Sequence, residues 1–233
     1  MGSAALSARV ASALATVTDP ELDQPLVELG FARAAVDAAG RVTIELRLPT
    51  YWCAANFAYL MASDARDAVA AVPGVRSVAV RLHDHFTAGE VTEAVNAGRS
   101  FDDAFGGGTD GSGLAALRRL FLVKAFTARQ DRLLRRLLAQ GYSPARVCAI
   151  RLGEVGAEVP EWGAYLDRRR RLGLPCGADS PLAMRPNGSA LRADELEPYL
   201  RRAQLTRVGM EANTSLCSGL HATRYSTVQG VMT

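Results

Sequence analysis

Val42, Ile44, Leu46 and Leu48 alternate with Thr43, Glu45 and Arg47, a period of two that predicts a half-buried strand. Upstream, Leu26 to Val36 is apolar and predicts a partner strand interrupted near Gly30, with Asp37-Ala38-Ala39-Gly40 as the turn of a hairpin. Val10, Leu14 and Val17 recur at helical spacing and stop at Thr18-Asp19-Pro20, because proline disfavours helical backbone in the residue before it. Ala54 to Val72 predicts a second helix, with Leu60, Met61, Ala65, Ala68 and Val72 on one side and Pro73-Gly74 ending it. Val78, Val80 and Leu82 then alternate as a third strand. The expected order is α-β-β-α-β, with the last two strands parallel and joined by a right-handed crossover.

Gly106 to Gly113 (GGGTDGSG) has the composition of a flexible linker. It fails as a phosphate loop, since no Gly-Lys-Ser/Thr follows. Leu114 to Gln140 predicts a long helix ended by Gly141. Asp194 to Ala203 predicts a shorter one, weakened by Pro198, and the last 25 residues carry no strong pattern. The fold class expected is α/β in the α+β sense. A small α-β-β-α-β domain occupies 1–105, a Gly-rich linker 106–113 and a basic, mainly helical extension 114–233.

Charge sharpens that division. Residues 1–105 hold 8 Arg against 13 Asp or Glu, a balance of −5; residues 106–233 hold 19 Lys or Arg against 11, a balance of +8. Opposite charge suggests two units that meet different partners or each other. Arg168 to Arg171 form a basic run, but no nucleic-acid motif or set of interleaved aromatics accompanies it. A solvated helix face, or a dock for an acidic protein, is expected instead of a nucleic-acid surface. No run of 18 apolar residues and no signal-like leader is present, so no membrane span is expected and the cytoplasm is the expected compartment. The four cysteines, at 53, 148, 176 and 217, form no C-x-x-C pair, which predicts free, reduced thiols.

Cys53 follows the second strand and opens the second helix. Unpaired N–H groups and the helix dipole favour negative charge there and make a thiolate more available. The alternative is a small buried cysteine. Asp19-Pro20-Glu21 lies between the first helix and first strand, where it can face the same turn. Two carboxylates beside a thiolate repel one another, and a cation relieves that repulsion; taken alone, though, the tripeptide also reads as ordinary turn chemistry. His83-Asp84-His85 closes the third strand, with 83 and 85 expected on one face. Two imidazoles can ligate iron or zinc, but they are an incomplete set, and polar residues at a strand end are the plainer reading. Cys217-x-x-x-His221 would share a helix face, but Gly219 between them argues against a helix. Cys148 and Cys176 read as structural.

Asp19-Pro20-Glu21, Val27-Glu28-Leu29-Gly30-Phe31, Thr50-x-x-Cys53 and Val72-Pro73-Gly74-Val75, in that order, resemble the metal–sulfur cluster assembly domain family of SufT and PaaD, over about residues 7–83. Glu28 stands where the family has Asp, Pro49 where it has a first threonine, and Tyr51-Trp52 where it has a small pair, so the site is bulkier and more aromatic. The resemblance implies iron–sulfur cluster delivery or maturation of an iron protein, with Asp19, Glu21, Thr50 and Cys53 as the functional patch. It further implies iron or an iron–sulfur cluster as a transient cargo and a client metalloprotein as partner, an oxygenase component being the PaaD-like case. A cluster needs about four ligands, mostly thiolates. One Cys53 per chain leaves three routes: a homodimer sharing the cluster, a partner supplying ligands, or iron handled alone. Two rival readings stand beside the maturation factor: a metal-independent adaptor or chaperone for a di-iron oxygenase component, and an enzyme using Cys53 with His83 or His85 as base.

Overall fold

β2 (Arg41–Arg47) buries Val42, Ile44 and Leu46 and leaves Thr43, Glu45 and Arg47 half-buried, as its alternation predicts. It is the central strand of a three-stranded sheet in the order β1-β2-β3, in a computed structural model that describes residues 3–106 and 114–225. Apart from Gly106, the Gly-rich stretch expected as a linker lies outside the described residues. β1 (Ala32–Val36) pairs antiparallel with β2, and β3 (Ser77–His83) pairs parallel to it. Between β2 and β3 runs α2 (Ala55–Ala70), while α1 (Ser3–Leu14) packs on β1 and α2. The α-β-β-α-β order and the mainly helical C-terminal region are both present.

The described residues form two compact units: those within 1–116 and 213–233 in the first, and 117–212 in the second. In the first, Val10, Leu14, Ile44, Leu46, Ala65 and Val80 are among the side chains of one core. α3 (Ala88–Ala97) covers β3 and seals its edge. The Asn96 side chain accepts from the Val80 N–H at 2.8 Å and donates to the Val80 carbonyl at 2.8 Å, and Thr92 Oγ1 accepts from the Leu82 N–H at 3.1 Å. An edge strand covered in this way offers no template for a second chain. A single turn, α4 (Phe101–Ala104), follows.

The second unit contains most of α5 (Ala115–Ala139), with α6 (Pro144–Ala149), α7 (Trp162–Arg171) and the first part of α8 (Ala193–Tyr225). Its core holds a buried polar network. Gln130 bonds Tyr199 Oη and the Met184 carbonyl, both at 2.7 Å, and Tyr165 Oη donates to the Leu182 carbonyl at 2.8 Å. Asp131, fully buried, pairs with Arg135 at 2.8 Å and Arg207 at 2.7 Å.

Three expectations need correction. The first strand begins at Ala32, not Leu26: residues 26–31 are turns whose Leu26, Leu29 and Phe31 anchor in the core, with Gly30 at φ +74°. α8 runs unbroken through Pro198 and Gly219. A helical glycine costs about 1 kcal/mol. Burial outweighs it, with Leu196, Leu200 and Ala203 in the second unit's core and Cys217 packed on the first unit's. Last, the basic run is a solvated face only in its second half: Arg170 and Arg171 are exposed, whereas Arg168 and Arg169 are buried. Arg169 is fixed by Tyr165 Oη at 3.0 Å and the Pro181 carbonyl at 2.9 Å, and also donates to the Pro175 carbonyl.

Candidate functional site

Cys53 lies on the loop that leaves β2, one residue before Ala54, which caps α2. The sulfur is half-buried, and Thr50 Oγ1 stands 3.3 Å from it. The backbone of the loop is pinned from the far end of β3. His85 Nε2 donates to the Cys53 carbonyl at 2.7 Å, and the Phe86 N–H donates to the Tyr51 carbonyl at 3.1 Å. The Thr87 N–H donates to His85 Nδ1 at 3.2 Å, which leaves Nε2 as the protonated nitrogen. Burial holds the His85 pKa below its ordinary value, in keeping with a neutral ring. His85 thus fixes the loop through the cysteine's own carbonyl, and both its nitrogens are engaged.

The alternation expected to put His83 and His85 on one face ends at His83, because Asp84 adopts φ 51°. His83 Nε2 stands 3.9 Å from Glu45 Oε1, on the β2 side. Asp19 and Glu21 share one turn. Asp19 Oδ1 accepts from the Glu21 N–H at 2.8 Å and the Leu22 N–H at 2.9 Å. Burial pushes the Asp19 carboxyl up to about 6, against the opposing pull of those two N–H groups.

The end of α8 also reaches this region. Asn213 Nδ2 donates to Glu21 Oε1 at 3.2 Å. His221 rests on Phe31, ring centroids 5.0 Å apart, and beside Gly30, where a Cβ would meet its Cε1 at 3.3 Å. Arg224 donates to the Leu48 carbonyl at 3.2 Å and to the Asp84 carbonyl. Cys217, between them, is pushed up to about 11 by burial and by the charges of Asp19, Cys53 and Glu21. Sequence reasoning set these residues aside. Their spacing of four, four and three from Asn213 to Arg224 was the signal, and Gly219 masked it. Among the described residues, no group of three or more His, Cys, Asp or Glu side chains forms a set able to hold a metal ion.

Beside Cys53, Tyr51, Trp52 and Phe86 form an exposed aromatic cluster, with Trp52 74% exposed and its ring 4.8 Å from Tyr51 and 5.5 Å from Phe86.

Residues 7–82 match the family model described as iron–sulfur cluster assembly protein. Residues 7–82 therefore carry the pattern of that family, and the rest of the chain falls outside the match. Asp19, Glu21, Thr50 and Cys53 all fall within the match, whereas His83, His85 and the end of α8 fall outside it. No curated protein and no solved structure matches the chain. No helix among the described residues is long and apolar enough to cross a membrane.

Proposed function

We propose that this chain is a maturation factor that takes iron or an iron–sulfur cluster as cargo at Cys53 and passes it to a client metalloprotein, with Asp19, Glu21 and Thr50 assisting. The observation that carries the reading is the cysteine loop itself. Within the stretch that matches the assembly family, a half-buried thiol beside a hydroxyl at 3.3 Å is held on a loop whose carbonyl is pinned at 2.7 Å. A held but incompletely ligated sulfur suits transfer, because a closed four-thiolate shell resists release. Reduced thiols are required, which fits the cytoplasm. A di-iron oxygenase component as client rests on the PaaD resemblance alone.

Anaerobic loading with ferrous iron and sulfide tests the reading. Trp52 adjoins Cys53, and the other tryptophan, Trp162, is buried, so cargo binding should quench mainly the Trp52 emission. Wild type should bind iron and mature a client, and Cys53→Ala should do neither. Equal binding and maturation by the two proteins refutes the reading.

The aromatic cluster favours one second reading, a metal-independent adaptor. Exposed Trp and Tyr are the side chains that anchor protein interfaces. Under it, a client co-purifies with Cys53→Ala and is lost with Trp52→Ala. The thiol-enzyme reading finds no base in either expected histidine, since both His85 nitrogens are engaged and His83 faces Glu45.

A further inference from the structure

The sheet has one sealed edge and one open edge. Asn96 and Thr92 of α3 bond the outer edge of β3, and β1 has no such cover beyond Ala32. In an antiparallel pair, successive residues turn their main-chain groups alternately towards the partner strand and away from it. The Phe31 carbonyl accepts from the Arg47 N–H at 2.9 Å and the Asp37 N–H donates to the Arg41 carbonyl at 3.0 Å, so the odd-numbered residues of β1 are the ones that bond β2. The even-numbered ones face outward. The Ala32 N–H donates to the Leu26 carbonyl at 3.3 Å, and the N–H and carbonyl groups of Ala34 and Val36 have no hydrogen bond among the described residues. Along this edge, between α1 and β1, lies a groove of about 240 Å³ lined mainly by Val10, Ala11, Leu14, Val27, Ala34 and Val36. Ala34 is exposed although it pairs with the fully buried Ile44, so the apolar layer stops short of the strand's edge. Arg33 also borders the groove; it is exposed and makes no ion pair or hydrogen bond among the described residues.

We infer that the β1 edge and its groove are a docking site for an extended segment of a partner protein, which adds to the sheet as a fourth strand. Its main chain pairs with the outward groups of Ala34 and Val36, as an exposed edge invites. Residues directly opposite each other across a strand pair point to the same face, so the partner residues facing Ala34 and Val36 send their side chains into the groove. Those side chains are apolar, to match Val10, Leu14 and Val27. The intervening residues lie on the other face, where the alternation puts Arg33, and an acidic side chain there meets a guanidinium that lacks a counter-charge. The occupant is thus a strand of alternating apolar and acidic residues. A second copy of β1 fits worse. It brings another alanine to a groove that a methyl group does not fill, and another Arg33 to an arginine already unpaired. Neither Cys53 nor Asp19 takes part, so the inference stands apart from the cargo reading.

The probe is a peptide of four Val-Glu repeats, compared with four Val-Lys repeats and with a block isomer of four valines followed by four glutamates, each titrated into the full chain. Amide hydrogen exchange reads the contact residue by residue. Saturating Val-Glu peptide should slow the Ala34 and Val36 amides about tenfold or more, whereas Arg33 and Ala35, already bonded to β2, should change less. Ala34→Pro deletes one outward N–H at an edge position, where a sheet tolerates proline, and should weaken binding about tenfold without loss of the fold. Arg33→Glu leaves the main chain untouched and should reverse the preference between the Val-Glu and Val-Lys peptides. No binding at millimolar peptide, binding without protection of Ala34 and Val36, or binding indifferent to both variants overturns the inference. Equal affinity for the block isomer overturns it too, because that peptide lacks the alternation. Dimerisation of the peptide-free chain that protects the same two amides also overturns it and assigns the edge to a second copy.

Discussion

Asp19 is 8% exposed, and its Oδ1 caps the turn by accepting from two backbone N–H groups. The substitution Asp19→Asn keeps a carbonyl oxygen for those two bonds and removes the charge. Burial has raised this carboxyl from 3.8 to about 6, so the folded chain binds the proton more tightly than the unfolded chain does. The sign follows from linkage: stability is greatest below the unfolded pKa of 3.8 and falls as pH rises towards and through about 6. At pH 7 the ionised carboxylate makes folding less favourable by about 3 kcal/mol. Asp19→Asn should recover most of that. In native-state hydrogen exchange, the β2 amides, which lie within the first unit, should exchange about 100-fold more slowly than in wild type at pH 7. The gap should shrink to well under tenfold by pH 4. Loss of protection at pH 7, or a gap independent of pH, refutes the reasoning. A gain in stability joined to weaker iron binding would mark Asp19 as a residue retained for its charge at the expense of the fold.

Other consequences follow from the same geometry. His85→Ala removes the donor to the Cys53 carbonyl, and the first unit should lose about 1–2 kcal/mol while Cys53 alkylates faster with iodoacetamide. Burial lowers the His85 pKa from 6.5 against the opposing pull of the Cys53 carbonyl, so the stability contributed by the neutral ring is full above 6.5 and is lost as pH falls. Nε2 keeps its proton for the Cys53 carbonyl while the Thr87 N–H loses its Nδ1 acceptor, and the urea midpoint of the first unit should fall on acidification more in wild type than in His85→Ala. Asn96→Ala leaves the Val80 N–H and carbonyl without their side-chain partner, and urea unfolding of the first unit should show a loss of about 1–3 kcal/mol. Arg169→Met strands the Pro181 and Pro175 carbonyls and should lower the second unit's unfolding midpoint in calorimetry by about 3 kcal/mol or more in stability.

Much of the first unit is legible in sequence because its signals are local. The alternation of Val42, Ile44 and Leu46 is a strand whatever surrounds it, and Pro73-Gly74 ends a helix by backbone sterics alone. Leu26, Leu29 and Phe31 mislead because apolar character reports burial, and a turn can be buried as well as a strand. His83 and His85 separate because one residue, Asp84, takes a left-handed conformation that alternation cannot foresee. The arginine run looks solvated in sequence, yet carbonyls and a tyrosine at distant positions satisfy Arg169 in the core. The candidate site divides in the same way. Thr50 and Cys53 are three residues apart, and their contact follows from the loop. The end of α8, whose own propensity is poor at Gly219, reaches Glu21, Gly30 and the Leu48 carbonyl from far downstream in the chain, and only tertiary packing brings it there.

The central claim is that iron is bound by the Cys53 sulfur. Iron-edge X-ray absorption on the full chain, loaded anaerobically with ferrous iron and no sulfide, reads this directly, since any sulfur neighbour must then come from the protein. The account predicts a sulfur shell around iron in wild type that is reduced or abolished in Cys53→Ala. A shell of oxygen and nitrogen alone, or an identical sulfur shell in the two proteins, contradicts it.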